Sequence, residues 1–155
     1  MLASIRPDDW NWLLLGHLLG VAALFASLVI VFAASTVTRA VAGADAVRVR
    51  GLVLRTIAYL AWPGFLVTIG LGHALQSKED ASGTWLDVSA NLGEVAGFVG
   101  LGILTYLANV ALRRARSGRD ATTAVAASAI VAPVLIVIFV VALFLMTGKP
   151  LAARW

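Results

Sequence analysis

Four apolar runs, each long enough to cross a bilayer, constrain this chain more than any other feature. They cover residues 13–34, 52–75, 86–112 and 123–147. A hydrocarbon core of about 30 Å needs about 20 helical residues, and only a helix or a closed barrel satisfies its backbone polar groups there. Composition agrees, with 61% hydrophobic and 13% charged residues and a mean hydropathy of +0.94. In 155 residues there is room for one membrane domain. The expected fold is all-α, an up-down bundle of four transmembrane helices joined by short connectors.

The net charge of +4 and the isoelectric point near 10.4 come from basic residues that flank the runs. Arg39, Arg48 and Arg50 follow the first run, and Arg55 lies just inside the second. Arg113, Arg114, Arg116 and Arg119 follow the third. The opposite ends carry Asp8, Asp9, Lys78, Glu79, Asp80 and Asp87. Cytoplasmic connectors are the ones enriched in Lys and Arg, so both termini and the 76–84 loop are expected outside. Trp10, Trp12, Trp85 and Trp155 fall at that same side, as an interfacial aromatic belt requires. The lipid bilayer is therefore the first partner, and no basic groove with interleaved aromatics suggests nucleic acid. The start does not read as a cleavable signal, because Asp8 and Asp9 follow Arg6 and the apolar run continues to residue 34.

Cysteine is absent, which excludes disulfides, thiolate-held clusters and CxxC chemistry. The prolines have local consequences. Pro63 is expected to kink the second helix, Pro133 to bend the fourth, and Pro150 to end it. Arg48 and Arg50 are expected on a cytoplasmic extension of the second helix.

Helical phase decides which polar residues can meet, since positions spaced by 4, 7, 11 and 18 fall near one line. On the third helix Asp87, Asn91, Glu94, Phe98, Thr105 and Asn109 share such a line. On the second, Arg55, Tyr59, Trp62, Leu66 and His73 do, and on the first His17 lies with Gly20, Leu24 and Val31. Ionisable side chains cost about 2.5–3.5 kcal/mol at a helix centre on insertion scales and generally face the bundle interior. His17, His73, Asn91 and Glu94 are thus expected to converge in the outer half, with Lys149 capping that face. Gly16-x-x-x-Gly20 and Gly93-x-x-x-Gly97, continued by Gly100, predict close helix contact. A plainer role, interhelical hydrogen bonding that fixes packing, is open to each polar residue.

Several short motifs occur in order along the chain. They are Gly16-His17-Leu18-Leu19-Gly20, the Arg55…Pro63…Gly70 spacing, Trp85-Leu86, and Leu145-Met146-Thr147-Gly148-Lys149-Pro150. In that order the chain resembles a bacterial family of predicted four-helix integral membrane proteins. It is more distantly similar to the HemJ-type protoporphyrinogen oxidases and to CopD-type membrane domains. The resemblance implies a multi-pass protein of the bacterial cytoplasmic membrane. In the HemJ-type proteins a first-helix His and a third-helix Lys serve haem binding and oxidation. His17 matches the first. No Lys follows Trp85-Leu86, where the chain reads Asp87-Val88-Ser89-Ala90-Asn91, so the resemblance carries tetrapyrrole binding but not the oxidase activity.

Three functional readings follow. The first is an accessory protein or subunit of a membrane assembly, with a membrane-protein partner or a second copy of itself. The second is a haem b protein using His17, with His73 as a further ligand. The third is proton or ion handling through Glu94. A divalent metal held by His17, His73 and Glu94 from three helices is a geometric variant of the same site.

Overall fold

The computed structural model describes residues 8–78 and 84–147. Every element among them is helical: α1 (Asp8–Val37), α2 (Gly43–Thr56), a π turn (Ile57–Ala61), α3 (Trp62–Lys78), α4 (Thr84–Arg116) and α5 (Thr122–Thr147). Four of the resulting stretches are long and apolar enough to span a membrane: Trp10–Val37, Gly43–Ser77, Val88–Arg116 and Thr122–Leu145. The expected fold class is the observed one. Lys149, Pro150, Trp155 and residues 79–83 lie outside the described residues.

α1 begins and α5 ends at one end of the bundle, here called the terminal end. The arginine-rich connectors mark the other. At that end α2 starts at Gly43 rather than at residue 52, so Arg48 and Arg50 ride on its first turns as expected. Arg48 and Arg55 are exposed, whereas Arg50 turns inward and donates to the Val41 carbonyl at 3.4 Å. Gly118 closes α4 with φ +67°. The Arg119 N–H donates to Arg114 O and the Gly118 N–H to Ala115 O, at 2.8 and 3.2 Å. This is the Schellman pattern, and its left-handed residue favours glycine. Asp120 then starts α5 by accepting the Thr122 N–H at 2.9 Å and the Thr122 hydroxyl at 2.5 Å.

The second span breaks where Pro63 demands it. Proline cannot donate to the carbonyl four residues back, and its ring presses on that carbonyl. The wider π register of Ile57–Ala61 absorbs the mismatch immediately upstream. The extra residue per turn also rotates the helix faces. Tyr59 and Leu66 consequently point outward, at 78% and 53% exposure, while Trp62 packs inward. The single stripe from Arg55 to His73 expected from an uninterrupted helix is thus split. Pro133 lies inside α5, which stays helical through it.

The bundle is closed unevenly. α1 packs along α3 and α5, and α5 along α4, while α2 and the π turn approach α4. α3 hardly approaches the α4 backbone at all. Beyond the π turn the second span therefore leans on α1 and leaves α4 behind. α1 and α3 meet backbone to backbone at Gly20 and Gly64. A Cβ built on Gly64 would sit 2.9 Å from the Gly20 carbonyl oxygen, and one on Gly20 would sit 2.9 Å from the Gly64 carbonyl oxygen. Gly97 and Gly100 of α4 receive the Phe65 ring and the Leu135 side chain, respectively. These glycines act as packing surfaces, as the small-residue spacing predicts. The core that results runs through Leu24, Leu28, Ile57, Phe65, Leu101 and Leu135.

Candidate functional site: a cavity at the terminal end

The divergence of α3 from α4 leaves a cavity of about 610 Å³ between α1, α3, α4 and α5. That lies within the usual range of roughly 300–1,000 Å³ for ligand pockets. Its floor is aromatic. Phe65 meets Phe98 edge to face at 5.0 Å between centroids, and Phe139 joins them at 6.2 Å from Phe65 and 6.3 Å from Phe25. Beneath this layer the Trp62 indole donates to the Thr105 hydroxyl at 3.0 Å, one of the polar links from α3 to α4.

The polar groups of the wall are those that helical phase singles out. His17, His73 and Glu94 all line the cavity. His17 lies about 10 Å along α1 from Trp10, where the apolar span begins, and Glu94 about 9 Å along α4 from Val88. The His17 Nδ1 stands 2.8 Å from the Thr68 carbonyl oxygen. A carbonyl only accepts, so Nδ1 carries the proton and the neutral ring keeps a bare lone pair on Nε2. Gly72 makes this possible. A Cβ there would lie 3.2 Å from His17 Cε1 and 3.4 Å from Nδ1, so only glycine lets the ring reach the α3 backbone without a push.

His73 and Glu94 form the second feature. Nε2 of His73 is 2.5 Å from Oε1 of Glu94, with the two side chains 56% and 30% exposed. The pair spans the gap between α3 and α4, whose backbones approach each other at few points. On the far side of the aromatic floor, the Trp62–Thr105 bond spans the same gap. The cavity thus has a side open between two helices, crossed by one acid–imidazole pair.

Other expectations are corrected. Asn91 lies on the exposed face of α4 and is not part of the cavity wall. It shares a line with Glu94 only approximately, and the wall admits the Glu94 side of that line. Of the two histidines that could partner Glu94 on the sequence, His17 and His73, it is His73 that does. Among the described residues no three His, Asp or Glu side chains gather to hold a metal ion, so the three-helix metal set does not form. Trp10, expected in an interfacial belt, also lines the cavity, whereas Trp12 is 71% exposed. Lys149, expected to cap the site, is outside the described residues.

Sequence reasoning did not find the aromatic floor or the Thr68 carbonyl. Phe25, Phe65 and Phe139 read as ordinary span residues, and a backbone acceptor leaves no trace in side-chain pattern. The available signal was Gly70-Leu71-Gly72-His73, a glycine one helical step from a histidine and opposite another. No family model, curated protein or solved structure matches the chain.

Proposed function

We propose that the protein is a small membrane-embedded binding protein, an accessory or subunit of a membrane assembly, that holds a lipophilic ligand in its terminal-end cavity. One observation carries this reading: a ligand-sized apolar cavity whose wall holds the chain's two histidines and Glu94. Intramembrane ionisable groups are retained where they serve a site. The open α3–α4 side supports entry from the lipid rather than from water. The arginine distribution supports an extracytoplasmic terminal end and, with it, a ligand drawn from the outer leaflet.

The test is extraction of purified protein with organic solvent, followed by mass spectrometry. Wild type is expected to carry a lipophilic species near one per chain, reduced several-fold in His17→Leu and Glu94→Leu. Bulk phospholipid and detergent alone, at equal levels in all three, would refute the reading. Native mass spectrometry from mild detergent tests the assembly, where a strictly monomeric protein with no retained companion counts against it.

A b-type haem is the second reading, favoured by the Nδ1-tethered His17 with its free Nε2 lone pair. His73 is committed to Glu94, so His17 would be the one protein ligand. The described wall presents a carboxylate, and no Lys or Arg that would pair with haem propionates. A Soret band in protein from a haem-replete host, lost in His17→Ala, supports haem, and a colourless preparation removes it. Proton handling draws on the His73–Glu94 pair. Toward the arginine-rich end, however, Thr105 and Asn109 are tied to the carbonyls of Leu101 and Thr105, which confines any such role to the terminal half.

A further inference from the structure

The polar groups set deepest in the cavity, His17 and Glu94, are acceptors, while the Trp10 indole and the Gln76 amide line it nearer the terminal end. In its neutral form His17 presents only an acceptor, because its one N–H is spent on Thr68. Glu94 presents a carboxyl group with two oxygens, of which one is engaged by His73, and a carboxylate accepts at both. Both acceptors lie roughly 9–10 Å inside the apolar spans, as measured along their helices. A ligand head that satisfies them must bring hydrogen-bond donors. A neutral head does so without the desolvation cost that an ammonium would add inside the span. Hydroxyl groups meet both conditions.

The floor narrows the choice further. Phe25, Phe65 and Phe139 are packed edge to face or tilted, an arrangement that accepts another flat ring at its edge or face. The opening between α3 and α4 suits a molecule whose tail stays in lipid while its head enters. We propose that the ligand is a lipid-soluble aryl alcohol, and that a hydroquinone is the fullest match because its two O–H groups equal in number the two deep acceptors of the wall. This rests on the binding function proposed above and adds the chemistry of the head. It concerns binding only; no electron transfer is part of it.

The experiment uses the full chain in nanodiscs, titrated calorimetrically with tetramethylhydroquinone kept reduced under argon. Its dimethyl ether is the comparison, since it keeps the ring and both oxygens but has no donor. A net hydrogen bond contributes a factor of roughly two to ten, so with two of them wild type is expected to bind the hydroquinone about four- to a hundredfold more tightly than the ether. His17→Leu is expected to erase most of that preference while retaining affinity for the ether. Equal affinity for the two compounds in wild type would overturn the donor-head inference and leave the cavity reading standing. Failure of wild type to bind either compound, together with solvent extracts that contain only bulk lipid, would overturn both. Because the hydroquinone–ether comparison is made on wild type, it holds even if a variant fails to fold.

Discussion

Replacing Gly64 with alanine isolates the contact on which the cavity's geometry depends. The new Cβ would lie 2.9 Å from the Gly20 carbonyl oxygen, 2.9 Å from the Leu24 nitrogen and 3.1 Å from the Ala23 Cβ. Two of these are backbone atoms of α1, so no rotamer change relieves them. Moving from 2.9 Å to an ordinary contact of 3.4 Å requires α1 and α3 to part by 0.5 Å over that turn. Overpacking of this kind costs about 1–3 kcal/mol. Alanine also gains up to about 1 kcal/mol of helix propensity over glycine, which works in the opposite direction. Gly102→Ala provides the reference, because its Cβ meets nothing within 4 Å and it carries the propensity gain alone. The difference between the two variants should then be about 1–3 kcal/mol, or roughly five- to 150-fold in the unfolding equilibrium. Reversible unfolding in mixed micelles, followed by circular dichroism, measures it. The parting of α1 from α3 also draws His17 away from Thr68, so ligand retention should fall with stability. Equal stability of Gly64→Ala and Gly102→Ala would refute the close α1–α3 crossing.

Three further outcomes follow from other parts of the molecule. Trp62→Phe removes the bond to Thr105 and should cost about 0.6–1.7 kcal/mol, the span of measured intramembrane hydrogen bonds; a variant as stable as wild type would leave the indole N–H without a structural role. Thr122 donates its hydroxyl and then its backbone N–H to Asp120, and holds that carboxyl below the usual range. A depressed carboxylate stabilises the fold above its unfolded pKa and loses that contribution as pH falls through the folded one. The melting-temperature gap between wild type and Asp120→Ala should therefore be full at about pH 6 and shrink as pH drops below the ordinary aspartate value of 3.8. A gap that grows on acidification contradicts the assigned sign. The cysteine-free chain also allows a direct orientation test. Ser77→Cys should react with an impermeant maleimide in intact cells and Ser117→Cys only after lysis, whereas the reverse pattern would invert the topology.

The terminal-end site was partly legible because helical phase is a local property. His17, His73 and Glu94 could be assigned to inward faces and to one depth from their spacing alone, and all three line the cavity. Asn91 shows the limit. Phase places it near Glu94, yet a difference of three residues swings it by about 60° and out of the wall. The sequence offered both His17 and His73 as partners for Glu94 and left the choice between them open. That choice depends on where Pro63 and the π turn send α3.

Hydrophobic run length, proline positions and arginine placement are properties of the chain. They determined four spans, an all-helical bundle and the break in the second helix, because lipid leaves an uninterrupted apolar segment few other conformations. The tertiary structure decided which helices touch. Gly20 and Gly64 draw α3 onto α1, α3 leaves α4, and the space between them becomes a cavity. That outcome turns on a few ångströms of backbone approach between residues more than forty positions apart, a quantity that no local pattern encodes.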